Sequence, residues 1–364
     1  MGFKYLEIAI AIFMISVVCE NLVCGTNNKT SMTNIPSFTL NTGKKIPSIG
    51  YGTWQANDEK LEKALDVALE AGYRHIDTAF VYENEKVIGK VLKRWITDGK
   101  LKREDIFLVT KLPPEGNRPE GVSKYLKKSL ENLQMDYVDL YLIHSPVGLN
   151  EVEEGQHPTN PDGTISLDMS TDHLALWKEM EKQVDAGLTK AIGLSNFNKT
   201  QVERIVKNSK ISPSSLQIEL HAYLQQNELV DFCKQNKILV TAYSPLGSPG
   251  QKAFNERFGA KVELPDILGN PTVKAIAKKH SKSPAQVVLR FDIQRGVIPI
   301  PKSTNSDRLK QNIDIFDFIL DEKDIKDLKS LDAGFRIVDL RIFKGIDKHP
   351  EYPFPSEMKK AENI

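Results

Sequence analysis

The sequence predicts an α/β protein built as one (β/α)8 TIM barrel, and two features of the chain support this fold. After residue 35, short apolar runs alternate with longer amphipathic stretches, the pattern of repeated strand, crossover and helix. Eight such units over roughly 300 residues match the size of one barrel, whose active site forms at the C-terminal ends of the strands. A doubly wound sheet is the competing architecture. It would need a glycine-rich turn after its first strand, whereas WQANDEK follows the first strand here.

The elements follow one another in order. Residues 37–50, SFTLNTGKKIPSIG, alternate around an Asn-Thr-Gly-Lys turn and predict an N-terminal β-hairpin that closes one end of the barrel. Eight short apolar strands are predicted at residues 49–53, 73–77, 106–111, 138–144, 189–194, 215–219, 238–243 and 297–300. Helices are predicted at residues 59–71, 83–96, 121–133, 173–186, 199–207, 227–236, 272–280 and 307–316. Leu65, Ala68 and Leu69 show the apolar stripe of a helix, and Gly72 and Gly187 stand where helix C-caps are expected.

The N-terminal segment is predicted to be a secretory signal peptide. Lys4 supplies a positive charge, residues 8–18 are apolar apart from Ser16, and small residues follow as far as Gly25. The apolar run is shorter than the roughly 20 residues that span a bilayer; an uncleaved anchor is the alternative. The chain therefore divides into a signal peptide at 1–25, a flexible leader at 26–36 and a single barrel domain at 37–364. We expect a secreted protein, or one retained in the lumen of the secretory pathway, with no membrane contact after cleavage.

The amino-acid composition indicates a protein whose stability depends on its hydrophobic core. The 364 residues carry a formal net charge of +1, so the chain lacks the basic face that nucleic-acid binding requires. Cleavage near Gly25 leaves Cys233 as the one cysteine, so no internal disulfide can form. Asn28 and Asn198 each begin an N-glycosylation pattern, Asn-Lys-Thr. We expect a monomer that has no nucleic-acid partner.

Four residues near strand ends could together make a proton-donating phenol. Asp77 and Tyr82 lie in HIDTAFVYENE, and Lys111 and His144 end two later strands. A tyrosine ordinarily has a pKa of about 10, and an ammonium about 4 Å away would favour the phenolate by about 4 kcal/mol at an effective dielectric near 20. We therefore expect Lys111 to lower the pKa of Tyr82 and Asp77 to keep Lys111 charged. His144 would donate a hydrogen bond to a carbonyl oxygen, so the group suits polarising and protonating a carbonyl.

Each of these residues by itself also has an ordinary structural interpretation. Asp77 could cap the next helix, and Tyr82 could be a half-buried packing residue. Lys111 could end a strand in solvent, and His144 could be a satisfied core histidine. Their shared position, at or just past the C-terminal ends of strands, favours the catalytic interpretation.

The motifs around these residues resemble those of the aldo-keto reductases. HIDTAFVYENE, VTKL around Lys111, LIH ending at His144, GLSNF, AYSPLGS and IPKS occur in the family's order over roughly residues 36–345. The resemblance implies reversible reduction of a small-molecule carbonyl with a nicotinamide cofactor, without a Rossmann domain and without a metal. It also implies that Asp77, Tyr82, Lys111 and His144 are the catalytic tetrad.

The resemblance further implies which residues bind the cofactor. They match the family's contacts to the carboxamide (Ser195, Asn196, Gln217), the nicotinamide ring (Tyr243), the pyrophosphate (Ser244, Leu246, Ser248), the 2′-phosphate (Lys302, Ser303, Arg308) and the adenine (Gln311, Asn312). Gly52, Thr53 and Trp54, at the end of the first strand, are expected near the cofactor and the pocket. Because arginine's planar fork suits a phosphate, the basic cluster favours NADPH over NADH.

The substrate is expected to be selected by Trp54, Val81 and Ser145, by the loop at 146–171 and by a C-terminal substrate loop after Leu331. Ser145 stands where family members often have tryptophan, which opens the pocket wall. The C-terminal loop carries an apolar set that is expected to line a pocket for a hydrophobic ketone: Phe335, Ile337, Val338, Leu340, Ile342 and Phe343. With its signal peptide, the chain resembles insect extracellular members that reduce a dehydrosteroid such as 3-dehydroecdysone.

Other functions stay open on the sequence alone. One is a broad-range reductase of aldehydes and sugars, and another is a non-catalytic member that senses bound cofactor. A metal-dependent barrel hydrolase is disfavoured, because the strand ends carry no His-x-His pattern and no clustered carboxylates.

Gln55 and Gly250 replace the lysine and aspartate that clamp the cofactor loop in some family members, so slow cofactor release is not expected. His221 is expected to be structural.

Overall fold

The structure is a computed structural model that describes residues 35–153, 158–257, 259, 263–338 and 340–354. The predicted signal peptide, almost all of the predicted leader and the Asn28 glycosylation pattern lie outside these residues. The described residues from Ile35 onward form one compact unit.

The predicted N-terminal hairpin is confirmed. Strand β1 (Ser37–Thr39) pairs antiparallel with β2 (Lys45–Pro47). Gly43 stands in the connecting turn with φ +80°, a conformation that glycine adopts without strain. Leu40 and Ile46 are buried and cluster with Phe107 and Leu142 of the barrel strands. The hairpin is therefore part of the barrel's core.

Eight parallel strands form the barrel, in chain order, and confirm the predicted fold class. They are β3 (Tyr51–Gly52), β4 (His75–Asp77), β5 (Phe107–Leu112), β6 (Leu140–Ile143), β7 (Ile192–Ser195), β8 (Ser215–Glu219), β9 (Leu239–Tyr243) and β10 (Val297–Pro299). Two backbone hydrogen bonds close the ring between the last and first strands, from Gly50 N to Pro299 O at 3.0 Å and from Gly52 N to Pro301 O at 3.2 Å. A Cβ at Gly52 would lie 2.6 Å from Ile300 O, so this close approach requires glycine.

The helices surround the barrel and bury one face each. In the described part of the chain they are α1 (Asp58–Glu70), α2 (Glu85–Thr97), α3 (Pro119–Leu133), α4 (His173–Asp185), α5 (Lys199–Asn208), α6 (Asn227–Gln235), α7 (Gly250–Arg257), α8 (Pro271–His280), α9 (Pro284–Gln294), α10 (Ser306–Ile313) and α11 (Glu322–Lys329). The predicted stripe of α1 is confirmed, since Leu65, Ala68 and Leu69 are buried. Burying a side chain such as leucine stabilises the fold by about 1.5–3 kcal/mol. Gly72 and Gly187 follow α1 and α4 with φ +104° and +75°, as expected for C-caps.

Three helices differ from the sequence prediction. Between β9 and β10 the chain forms α7, α8 and α9, where one helix was predicted, and α11 follows the last predicted helix. Helix α9 begins at a capping box of Ser283 and Gln286 and buries Val287, Val288, Leu289 and Phe291. Because apolar residues face several sides of this helix, its sequence lacks the clear amphipathic period on which the prediction relied. In the part of the chain that the structure describes, no helix has both the length and the apolar character needed to cross a membrane.

Two long segments meet beside the barrel. Val147, Leu149 and Ile165, from the loop after β6, cluster with Ile346 and Phe354 of the C-terminal segment. Leu340 and Phe343 pack against the same cluster. These two residues, which were expected to line a substrate pocket, thus make part of their apolar contacts with this cluster.

Candidate active site

The parallel strands carry the four predicted catalytic residues to one end of the barrel. Asp77 is the last residue of β4, Lys111 lies near the end of β5, and His144 directly follows β6. Tyr82 lies in a short 3-10 turn, Phe80–Tyr82, just beyond β4. Neighbouring parallel strands end at the same edge, which is why residues far apart in sequence meet here.

Lys111 is the centre of the group and is fully buried. Its ammonium donates to Asp77 Oδ1 at 2.6 Å and to Thr78 O at 2.8 Å, and its Nζ lies 3.4 Å from the Tyr82 hydroxyl oxygen. Burial lowers the pKa of Lys111, and the Asp77 carboxylate opposes this effect. Leaving either partner of a buried pair without the other would cost about 3–5 kcal/mol, so Asp77 and Lys111 depend on each other.

Asp77 is held by a second contact that excludes the helix-cap interpretation. Its Oδ2 accepts a hydrogen bond from Gln217 Nε2 at 2.6 Å, and the residue is 2% exposed. Both oxygens therefore bond side chains inside the barrel. Gln217, predicted to contact the cofactor, commits its amide nitrogen to Asp77 and keeps its amide oxygen for other partners.

Tyr82 is a neutral phenol in this arrangement. Burial raises its pKa well above the ordinary value, and the Asp77 carboxylate adds to the effect. The predicted lowering of this pKa by Lys111 is wrong, because burial of the phenol and the Asp77 carboxylate raise it. The ammonium itself is bonded more closely to Asp77 than to Tyr82. The phenol consequently holds its proton throughout the neutral pH range.

His144 lies beside Tyr82 and is neutral as well. The two ring centroids are 5.6 Å apart at an interplanar angle of 76°. Burial lowers the pKa of His144 well below its usual range, and Lys111 lowers it further. Among the described residues, His144 Nδ1 has no hydrogen-bond partner. A carbonyl oxygen placed between the Tyr82 hydroxyl and this ring would meet a proton donor and a second polar group.

A second set of residues continues from the tetrad along the strand ends. Asn196, directly after β7, donates to His144 O at 2.8 Å and to Ser195 Oγ at 3.2 Å. Its Oδ1 accepts a hydrogen bond from the Tyr243 hydroxyl at 2.7 Å. Asn196 has φ +66°, a left-handed conformation that turns its side chain back toward the site. The structure thus brings together Ser195, Asn196, Gln217 and Tyr243, the residues for which the family resemblance implied contacts to the nicotinamide.

The predicted phosphate-binding residues lie at the end of β10 and the start of α10. Lys302 and Arg308 are exposed, whereas Ser303 and Asn312 are buried. Asn305 caps α10 by accepting a hydrogen bond from Arg308 N at 3.0 Å. Within the described residues, neither Lys302 nor Arg308 forms an ion pair. Two cations without an anionic partner fit a phosphate group.

The remaining cofactor positions form the loop after β9. Ser244 and Ser248 both have left-handed backbone conformations, with φ +53° and +44°. Leu246 packs partly buried on the core. Across the cleft, Trp54 contacts the Phe254 ring at 5.3 Å between centroids. Gln55, in place of a charged clamp, reaches Gly250 O at a marginal 3.5 Å.

Two predicted substrate positions lie next to tetrad residues in the chain. Val81 is 41% exposed, next to Tyr82. Ser145 follows His144, is buried, and accepts a hydrogen bond from Val147 N at 3.1 Å through its hydroxyl. Thr53, expected near the cofactor, is buried and donates to Asp77 O at 2.9 Å, so it supports the backbone of the tetrad.

Sequence reasoning missed two supporting residues. Asn84 is buried, accepts a hydrogen bond from Thr78 Oγ1 at 2.7 Å, and donates to Thr53 O and Ala56 O. It thereby fixes the turn that carries Tyr82. Glu219 ends β8 with a fully buried carboxylate. A single sequence gives no signal that distinguishes such a buried asparagine or glutamate from the many polar residues that are exposed to solvent.

Comparisons with known proteins agree on one family. The model of the Aldo/keto reductase family matches residues 48–333. Aldo-keto reductase family 1 member A1 of Xenopus tropicalis is 44% identical over 87% of this chain and 96% of that protein. Dihydrodiol dehydrogenase 3 of Bos taurus is 45% identical over 87% of this chain and 97% of that protein. The solved structure of the aldose reductase from Schistosoma japonicum superimposes with a TM-score of 0.80 at 41% identity, covering 88% of this chain and 99% of that one.

Proposed function

The chain belongs to the aldo/keto reductase family, and we propose that it reduces an aldehyde or ketone to the alcohol with NADPH, using Tyr82 as the proton donor. The family acts on small-molecule carbonyl compounds and generally uses a nicotinamide cofactor. The observation that carries the proposal is the buried contact of Lys111 with Asp77 and Tyr82.

Each member of the tetrad has a task that follows from its surroundings. A bound nicotinamide cofactor would supply a hydride to the carbonyl carbon, and the carbonyl oxygen would then take up a proton. Tyr82 holds that proton because burial raises its pKa. After the transfer, the phenolate lies 3.4 Å from the Lys111 ammonium, an attraction of about 5 kcal/mol at an effective dielectric near 20. Asp77 keeps Lys111 charged, and neutral His144 orients the carbonyl oxygen by a hydrogen bond.

The choice of NADPH rests on the two unpaired cations. A 2′-phosphate between Lys302 and Arg308 would form charge-assisted hydrogen bonds that NADH cannot make. Ser195, Asn196, Gln217 and Tyr243 would hold the nicotinamide end, since they already form one hydrogen-bonded group with the tetrad.

For the substrate, we propose a hydrophobic ketone of steroid size, a dehydroecdysteroid among the candidates. The small Ser145, the exposed Val81 and the apolar residues Phe335 and Ile337 of the C-terminal loop support this choice. A broad-range reductase of aldehydes and sugars is the second candidate.

The N-terminal sequence further supports a secreted, glycosylated protein, which we expect to be a monomer.

The test is oxidation of NADPH by the purified mature chain with aldehydes, sugars and ketosteroids as substrates. We expect turnover, with the highest kcat/KM for ketosteroids. Comparable kcat/KM for all three classes would favour the broad-range enzyme. Tight NADPH binding without turnover of any carbonyl would instead point to a non-catalytic cofactor-sensing protein.

A further inference from the structure

We infer that Glu219 is a positioning residue that anchors the C-terminal loop, residues 332–338, at the mouth of the active site and thereby sets selectivity for large substrates. Glu219 is the last residue of β8, so whatever it binds lies at the C-terminal end of the barrel. The inference about selectivity rests on the proposed carbonyl reduction.

The carboxylate of Glu219 holds two consecutive backbone amides of the loop. Its Oε1 accepts from Ile337 N at 2.6 Å and its Oε2 accepts from Val338 N at 2.7 Å. The residue is fully buried, and a buried carboxylate is tolerated where hydrogen bonds of this kind compensate it.

His221 completes the anchor and fixes its geometry. Its Nδ1 accepts a hydrogen bond from Tyr223 N at 3.3 Å, so the ring proton is on Nε2. Nε2 donates to Glu219 Oε1 at 2.9 Å. The expected structural role of His221 therefore consists in orienting the carboxylate that binds the loop.

Further contacts keep the same loop on the same strand end. Tyr223 O accepts hydrogen bonds from Ala333 N at 3.1 Å and from Phe335 N at 3.0 Å. The Arg336 guanidinium lies 3.8 Å from the centre of the Phe354 ring, within the cluster that joins the C-terminal segment to the loop after β6. A shift at Glu219 is thus transmitted to the position of Phe335 and Ile337.

The anchor and the tetrad share one strand. Gln217, which bonds Asp77, and Glu219 are two residues apart in β8 and so face the same side of the strand. Glu219 also pairs with Tyr243 of β9 in the sheet register. Strand β8 therefore holds both the C-terminal loop and, through Gln217, the tetrad. Precise selection of a large substrate requires that the loop and the reacting group keep a fixed relative position.

The first test is the Glu219→Gln substitution, which keeps the size of the side chain. The amide has one oxygen, so it can accept from one of the two loop amides and turns its NH2 group toward the other. We expect kcat/KM for a ketosteroid to fall about tenfold, mostly through a higher KM, which corresponds to about 1.4 kcal/mol. For a three-carbon aldehyde, kcat/KM should stay within about threefold of the wild-type value. The Kd for NADPH should stay within about twofold of the wild-type value. Both changes are smaller than the tenfold effect that 1.4 kcal/mol represents.

Glu181 offers a matched control. It is a buried glutamate on α4 whose Oε1 accepts from Lys210 N at 2.7 Å and Ile211 N at 2.8 Å, in the loop that leads into β8 at the opposite end of the barrel. Glu181→Gln makes the same chemical change far from the mouth. One glutamine oxygen can still accept both of these bonds, and we expect the ratio of the two kcat/KM values to stay unchanged.

Hydrogen exchange tests the anchor independently of any activity. In Glu219→Gln, the Ile337 and Val338 amides should exchange at least tenfold faster, whereas Glu181→Gln should leave them unchanged. Unchanged exchange of these amides, or an equal loss of activity toward the ketosteroid and the small aldehyde, would overturn the inference. Absence of turnover in the wild-type chain would refute the proposed reduction, while the exchange result would still decide whether Glu219 holds the loop.

Discussion

At the scale of single residues, the site depends on one buried lysine that serves two partners unequally. Lys111 lies 2.6 Å from Asp77 and 3.4 Å from Tyr82, so it neutralises the carboxylate first. Burial raises the pKa of Tyr82, so the phenol keeps its proton until a stronger base forms beside it. In the proposed reduction the alkoxide is such a base, so a tyrosine with a raised pKa can still protonate it.

Replacing Tyr82 with phenylalanine should abolish most of the activity. The ring and its packing remain, but the proton donor is lost, and general acid catalysis typically contributes about 10² to 10⁴ in rate. We expect kcat to fall by at least a hundredfold with the Kd for NADPH little changed, measured by stopped-flow reduction and fluorescence titration. Retention of more than a tenth of the wild-type kcat would show that another group donates the proton.

Removing the guanidinium of Arg308 should weaken NADPH binding selectively. Arg308→Ala is expected to raise the Kd for NADPH about tenfold, or by 1.4 kcal/mol, and to leave the Kd for NADH unchanged. Lys310 is an exposed cation on the same helix, so Lys310→Ala controls for a general loss of charge. An equal weakening of both cofactors by Arg308→Ala would contradict the phosphate assignment.

The rate of reduction should be nearly independent of pH between about 6 and 8. The pKa of His144 is lowered, so the ring stays neutral as the pH falls through the ordinary histidine range. The pKa of Tyr82 is raised, so the phenol stays protonated as the pH increases. A sigmoidal loss of kcat with a midpoint near about 6.5 would show that His144 titrates as an exposed histidine.

At the level of secondary-structure elements, a residue that matches a modification pattern in the sequence can instead cap a helix in the structure. Asn198 begins a glycosylation pattern, yet it caps α5. Its Oδ1 accepts from Gln201 N at 3.0 Å and its Nδ2 donates to Pro353 O at 3.1 Å. The amide nitrogen that would carry a glycan is thus bonded inside the fold.

Asn198 is therefore expected to remain unglycosylated in the secreted protein. Thr200→Ala removes the pattern without touching the cap, and the mass of the secreted chain should not change beyond the substitution itself. Asn198→Ala, by contrast, should lower the free energy of unfolding by about 1 kcal/mol through loss of the cap. A glycan found on Asn198 by peptide mass spectrometry would contradict this assignment.

At the scale of the whole molecule, the barrel begins close to Ser37 and the chain before it carries the features of a secretory signal. Among the described residues, Cys233 is the free cysteine. Cys233 is buried, and burial raises its pKa to about 12, so the thiol is unreactive.

The mature protein is expected to be secreted with an N-terminus between Glu20 and Thr26. The order of positive charge, apolar run and small residues supports cleavage there. Asn28 would then carry a glycan beyond the cut. N-terminal sequencing of medium and lysate from secretory cells that express the full chain tests this, with Asn28→Gln as the glycan control. An intact Met1 species confined to the cytosol would overturn both expectations.

Sequence alone was enough to predict the barrel, which is confirmed, and to predict that four candidate catalytic residues would lie together at its C-terminal end. Alternating apolar runs predict strands and helices because side-chain periods of 2 and 3.6 are local properties. Asp77, Tyr82, Lys111 and His144 could be grouped because each lies at or just past a strand end, and parallel strands place those ends together. Helix α9, which buries several faces, escaped prediction for the same reason, since its pattern lacks a polar side.

The distances between these side chains and their hydrogen-bond partners, by contrast, follow only from the tertiary structure. The pKa of Tyr82 rises because burial and the nearby Asp77 carboxylate both disfavour the phenolate, and no spacing in the sequence contains either effect. The distances of 2.6 Å from Lys111 to Asp77 and 3.4 Å to Tyr82 are likewise set by the fold. Glu219 binds amides more than a hundred residues further along the chain. Such contacts depend on how the strands close into a ring, and a single sequence specifies which residues are present but not which of them meet across that ring.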